Sequence, residues 1–394
     1  MNDEASRFYK DRVSLADPEL GSILSQRDSV RPALDHLSKS ITGQRLIQEA
    51  FEEAHVWQYT GRFYMAEGRY HEAITIFRGL HEQLCEGESR GETNGWIPKG
   101  MPLVWISDCH RAMGHLELSG RYLLLTAVAD AIRDRGNVDP NAGVYWRAQT
   151  YQGWGDQELR PFYQECAQNH DPRDPLCSFP EHVLAHVRRR FSLPYSTPQE
   201  LDRYEINRSY ALQILKVMER KREQEDTVDG KDLEMLAGYL LGCMPGFEVE
   251  PRVLSKGPEY DGIIRNRGPK FDFRSDLGSY VLLECKDWRK PVGTSEVASF
   301  INKLVLQDCR GGILFSRLGV TGEGKTRDAE LQILKAYYRA GRVVLVLSEE
   351  DFQSAAKGEN LLGILRQRYE EIRFDIPRRR AEATPAVPKP SQQG

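Results

Sequence analysis

The chain has 394 residues, with 54 Lys plus Arg against 58 Asp plus Glu, and a formal net charge of -4. It carries no global cationic field for nucleic acid or anionic membrane, so any such affinity must come from local patches, and its length suits two or three domains and excludes a mini-protein scaffold. With 40% hydrophobic residues, a mean hydropathy of -0.56 and no apolar run near the roughly 18 residues of a bilayer span, the composition predicts a soluble protein without a membrane partner.

Met1 to Lys10 mixes acids, bases and Asn with no apolar core behind a basic start. The expectation is neither a signal nor a transit peptide, and a cytoplasmic location. Cys85, Cys109, Cys166, Cys177, Cys243, Cys285 and Cys309 are odd in number and far apart, with no Cys-x-x-Cys pair. They predict reduced, mostly buried thiols rather than a disulfide framework or a zinc ribbon.

From about Gln44 to Arg222 the pattern is helical and rich in Trp, Tyr, Ala and Leu, with breaks at Gly68, Gly87 to Gly100, Gly136 to Gly143 and Asp171 to Pro175. Trp57, Gly61, Tyr64, Ala73, Phe77 and Leu80 fall at the spacing of a tetratricopeptide repeat, in which small residues let two antiparallel helices approach and large ones fill the gap. Residues 54–85 thus resemble one such unit. Trp105 to Arg133 has the same rhythm without small residues at the crossing, and Val144 to His170 is looser still. The expectation is a short helical-repeat array, since one unit cannot bury its apolar face alone.

After the charged helix end Glu219 to Asp226 and the turn Thr227 to Gly230, the texture changes. Helices at Lys231 to Cys243, Thr294 to Asp308 and Arg327 to Ala340 alternate with short runs at Phe247 to Leu254, Tyr260 to Arg265, Tyr280 to Lys286, Gly312 to Ser316 and Arg342 to Leu347. This predicts an α/β domain. In the strand Tyr280 to Lys286, side chains alternate, so Glu284 and Lys286 share one face while Leu283 and Cys285 point the other way. The preceding strand holds Asp261, and a turn-rich stretch from Asn266 to Ser279 predicts a hairpin. Asp261 then reaches Glu284, and two carboxylates converging from adjacent strands form a hard-oxygen site suited to Mg²⁺, with Lys286 beside it.

These residues resemble the PD-(D/E)xK nuclease superfamily and, more narrowly, the Mrr-like restriction endonucleases, over about residues 231–375. Asp261 matches the motif aspartate; Glu284 and Lys286 match its second half in a Glu-Cys-Lys context; Tyr260 stands where the motif has proline. Glu234, on the first helix, matches a glutamate that many members place at the metal. The resemblance implies Mg²⁺ (or Mn²⁺) held by Asp261, Glu284 and Glu234, with Lys286 orienting or deprotonating the attacking water during DNA phosphodiester cleavage. Ser299 and Asn302 are weaker candidates for phosphate contact. It further implies restriction or anti-phage defence, with the helical half sensing a trigger or binding a partner protein, and a homodimer if both strands are cut.

Three signals compete. Gly319 to Thr326 satisfies the phosphate-loop pattern between a strand and a helix, but fewer than 70 residues follow and they hold one good strand, too few for a nucleotide-binding sheet. His182 and His186 share a helical face without the glutamate or third ligand of a zinc helix. Basic clusters at Arg188 to Arg190, Lys216 to Arg222 and Arg378 to Arg380 read as phosphate contacts or solvated helix ends. The sequence therefore predicts an α+β two-domain chain: an all-α, TPR-like repeat domain over 1–226, a restriction-endonuclease-like α/β domain over 227–376, and a disordered tail over 377–394. The alternative function is a non-catalytic scaffold with a nuclease-shaped nucleic-acid-binding domain.

Overall fold

The structure is a computed structural model that describes residues 3–40, 51–89, 99–133, 147–169, 203–206, 208–224, 230–253, 259–268, 272–322 and 328–376. The expected tail, the paired histidines at 182 and 186, and the arginine clusters at 188–190 and 378–380 lie outside the described residues.

The first half builds helices α1 (Asp3–Ala16), α2 (Pro18–Leu24), α3 (Val30–Ser40), α4 (Phe51–Ala66), α5 (Tyr70–Ser89), α6 (Gly100–Ala112), α7 (Leu116–Arg133) and α8 (Asp156–Asn169). Helix α2 shows how the local sequence sets a start: Asp17 accepts the Leu20 N–H, and Pro18 occupies the first turn, where its missing donor costs nothing. Between α4 and α5 the chain reverses through Gly68, whose φ of 71° is in the left-handed region that favours glycine.

In the α4–α5 hairpin, Trp57, Tyr64, Ala73, Phe77 and Leu80 are fully buried. Gly61 permits the crossing, because a methyl group there would lie 2.3 Å from the Phe77 ring. The Phe77 ring meets Trp105 of α6 at 4.9 Å between centroids, which carries the packing into the next hairpin. That hairpin reads from sequence as lacking small residues, yet Ser107 and Ser119 are both fully buried at its crossing. The Ser107 hydroxyl donates to the Ser119 carbonyl at 2.8 Å, so its polar atom is satisfied and serine packs as a small residue.

The second half begins with α9 (Arg208–Gln224) and α10 (Lys231–Gly242) and continues through β1 (Phe247–Val253), β2 (Tyr260–Asn266), a 3₁₀ turn at Phe273–Leu277, β3 (Tyr280–Lys286), α11 (Thr294–Leu306), β4 (Gly311–Ser316), α12 (Asp328–Ala340) and β5 (Val343–Leu347). Two helices not assigned from sequence follow, α13 (Glu349–Ala356) and α14 (Leu361–Arg373). A Ser348–Asp351 capping box starts the first, and the Asn360 side chain caps the second.

The sheet runs β1-β2-β3-β4-β5, antiparallel from β1 to β3 and parallel from β3 to β5. Among the described residues the chain is therefore mixed α/β and mostly helical, with one five-stranded mixed sheet. Strands β4 and β5 are buried along their whole length, as expected for parallel strands covered on both faces. One face, with Val281, Leu283 and Phe315, packs under α9, α10, α13 and α14; the other, with Leu282, Leu314 and Val344, packs under α11 and α12.

Helix α9 precedes the boundary expected at residue 226, yet Tyr210, Ala211, Ile214, Leu215 and Met218 belong to the core of the sheet. Hydrophobic burial assigns this helix to the second half, although its charged end reads as a linker. The glycine at the α4–α5 crossing gives a direct test of the packing. Gly61→Ala drives a methyl into the Phe77 ring and is expected to destabilise the protein by about 1–3 kcal/mol, read as a lowered midpoint in thermal unfolding followed by circular dichroism.

Candidate functional site

Strands β2 and β3 pair with Gly262 opposite Leu283 and Ile263 opposite Leu282. Asp261 comes just before Gly262, beyond the last paired position, and its carboxyl lies close enough to Glu284, Lys286 and Lys303 to feel their charges. Parallel pairing then places Lys286 opposite Ser316 of β4 on the same face as Glu284. The structure thus brings Asp261, Glu284 and Lys286 together on the face covered by α11.

Glu284 is buried, with 6% of its surface exposed, and each of its oxygens has its own cation. Lys286 Nζ lies 2.7 Å from Oε1, and Lys303 Nζ, reaching in from α11, lies 2.7 Å from Oε2. Lys303 also donates to the Glu259 carbonyl at 3.0 Å and stands 5.9 Å from the centre of the Tyr260 ring. The sequence reading missed Lys303. Its signal is faint: it adjoins Leu304 of the buried stripe Val297, Phe300 and Leu304, and a lysine beside an apolar stripe ordinarily lays its stem on the core and its ammonium in water.

Asp261 Oδ2 accepts the Cys285 N–H at 2.7 Å. Burial pushes the Asp261 carboxyl above its usual range despite that bond, and the neighbouring Glu284 charge pushes it further; Lys286 and Lys303 pull it back. Burial lowers the Lys286 pKa, but its hydrogen bond and attraction to Glu284 outweigh that and leave it raised. Between them the Cys285 thiol points to the opposite face, where burial, Asp261 and Glu234 together hold its pKa well above the ordinary value. It is a packed, inert thiol.

Glu234 stands on α10, which packs on the face Cys285 points to, and its charge is felt there. Among the described residues no three His, Cys, Asp or Glu side chains gather in a metal-holding arrangement. The donor chemistry of the pair fits a divalent cation: two oxygen ligands on adjacent strands, with one carboxyl strained by the other's charge.

Arg222 corrects one expectation. It reads as part of a basic cluster for phosphate, but its guanidinium is 8% exposed and closed between Asp287 at 2.6 Å and Glu349 at 2.5 Å. The Asp287 side chain is itself 1% exposed and directly follows Lys286. This pair ties the end of α9 to the end of the catalytic strand candidate. Of the phosphate-loop pattern, residues 323–327, with Lys325 and Thr326, lie outside the described residues. Its first residues turn back after β4, with the Ser316 hydroxyl donating to the Gly319 carbonyl at 2.7 Å and Val320 bridged to Val292.

No family model, no curated protein and no solved structure matches the chain. The chemistry of the site rests on its own geometry.

The raised Asp261 carboxyl carries a stability consequence. Below the unfolded carboxyl pKa both states hold the proton and the residue is neutral in the balance; above the raised folded pKa, ionised Asp261 costs stability. Asp261→Asn in chelator-treated buffer is expected to raise the unfolding midpoint at pH 7, with the gain vanishing as pH falls through the ordinary carboxylate range. Thermal melts at pH 7 and pH 4 measure this, and a lowered midpoint at pH 7 contradicts the burial argument.

Proposed function

We propose that the chain is a metal-dependent nuclease that hydrolyses DNA phosphodiester bonds at Asp261, Glu284 and Lys286, in a restriction-endonuclease-like domain. The observation that supports this reading above all is the pair of neighbouring carboxylates, Asp261 and Glu284, with Lys286 two residues along β3 from Glu284. Asp261 and Glu284 would hold the cation, and a bound Mg²⁺ supplies Lewis-acid neutralisation of the charge that builds on the phosphoryl oxygens. Lys286, released from Glu284, orients a water for attack and stabilises the pentacoordinate phosphorus with its ammonium. The helical half is proposed as a TPR-like array that senses a trigger or a protein partner in defence against foreign DNA, in the cytoplasm, and two copies would be needed to cut both strands from one centre per chain.

One observation favours a second reading, a non-catalytic nucleic-acid-binding scaffold: both Glu284 oxygens are already engaged by ammonium groups. Incubation with supercoiled plasmid in Mg²⁺ or Mn²⁺ separates the two. The nuclease reading expects metal-dependent nicking that falls at least about a thousandfold in both Lys286→Ala and Asp261→Ala, on the scale of removing a transition-state charge partner. Equal residual nicking by all three proteins, or none by any, rejects it.

A further inference from the structure

Among the described residues, Asp261 and Glu284 bring two carboxylates to two ammonium groups, Lys286 and Lys303, and the two lysines are held differently. Lys286 is bound by Glu284 Oε1 at 2.7 Å and faces the Trp288 ring at 5.7 Å, both on its own strand or just beyond it. Lys303 comes from another element, α11, and has three partners around it: Glu284 Oε2 at 2.7 Å, the Glu259 carbonyl at 3.0 Å and the Tyr260 ring at 5.9 Å. Two of those three do not depend on Glu284. If Glu284 turned one oxygen to another cation, Lys286 would lose its ion-pair partner, whereas Lys303 would keep a carbonyl, a ring face and the second oxygen.

We propose that Lys303 is a built-in cation occupying the place of a second metal ion, so that the site takes one divalent cation. This deepens the nuclease reading and rests on it. Asp261 commits Oδ2 to the Cys285 amide, which leaves Oδ1; Lys303 commits Glu284 Oε2, which leaves Oε1 once Lys286 moves aside. One oxygen from each carboxylate makes a single two-ligand position, with water and phosphate completing the shell, as Mg²⁺ prefers. Among the described residues no third carboxylate joins these two in a metal-holding group, and Glu234 stands on α10, which packs on the other face of the sheet.

Charge points the same way. Two carboxylates and two ammonium groups cancel, so one divalent cation leaves +2, suited to an anionic phosphodiester and the charge it gains during attack. A second ion would leave +4 beside a buried carboxylate, where charges are weakly screened. Lys303 thereby serves as a positioning residue, fixing which Glu284 oxygen faces the metal and limiting how many ions enter.

The test counts ions rather than turnover. Mn²⁺ is titrated into the full-length, chelator-treated protein, and free Mn²⁺ is followed by its electron paramagnetic resonance signal; sites are those that disappear in Asp261→Asn. The expected result is one Mn²⁺ per chain for the native protein. Lys303→Met, which keeps the stem and removes the charge, should bind the ion at least about tenfold more tightly as a like charge leaves its vicinity. Lys303→Gln, with an amide to hold the Glu259 carbonyl, is the second variant should the first fail to fold, judged by circular dichroism. Two ions in the native protein overturn the proposal. So does a folded Lys303 variant with unchanged number and affinity. Absence of Asp261-dependent Mn²⁺ from native and variant proteins alike defeats the metal-dependent reading itself, and with it this one.

Discussion

Bringing the carboxylates of Asp261 and Glu284 close together from two neighbouring strands is the constraint around which the site is arranged. A buried and a half-buried like charge repel, and an unpaired ionised carboxylate away from water costs several kcal/mol. The fold meets this with an ammonium on each Glu284 oxygen and a backbone N–H on Asp261. The compensation on Asp261 is incomplete: its pKa stays raised despite two nearby lysines. A surface Glu-Lys pair would be worth little; here, burial makes the same pair specific, because losing either partner leaves a desolvated charge.

Helix α9 is tied to the strand that carries Glu284. This helix packs its apolar side into the core under β3, and Arg222 near its end holds Asp287, the residue after Lys286, together with Glu349 at the start of α13. At its other end α9 follows a segment whose Glu205 accepts from Arg78 at 2.5 Å, His110 at 2.8 Å and Tyr122 at 3.1 Å, on α5, α6 and α7. Burial alone would raise the Glu205 carboxyl, but Arg78 and His110 hold it well below the usual carboxylate range. Ionic contacts in protected surroundings thus connect the helical half to the segment before α9, and α9 to the end of β3.

Side-chain environment also separates the sulfur chemistry from the candidate site. Cys285 lies between the two key residues in sequence but on the other face in space, and the described cysteines are free thiols. Burial pushes Cys243 up to about 11 and Cys166 up to about 12, so thiolate is scarce at neutral pH. These thiols serve as packing groups.

What the sequence by itself determined is periodic and local. Alternation in Tyr280 to Lys286 assigned Glu284 and Lys286 to one face, the turn-rich stretch after Asn266 joined two antiparallel strands, and the spacing of Trp57, Gly61, Tyr64, Ala73, Phe77 and Leu80 marked a tight helical hairpin, because each depends on neighbours a few residues away. Tertiary structure alone decided that Lys303 reaches Glu284 from 19 positions away, that Arg222 turns inward onto Asp287, that Ser107 meets Ser119 at a crossing, and that α9 belongs to the sheet's core. Those outcomes turn on which surfaces meet when separate elements pack. A lysine or arginine carries the same letter whether its charge lies in water or against a buried carboxylate, so only the packed fold distinguishes them.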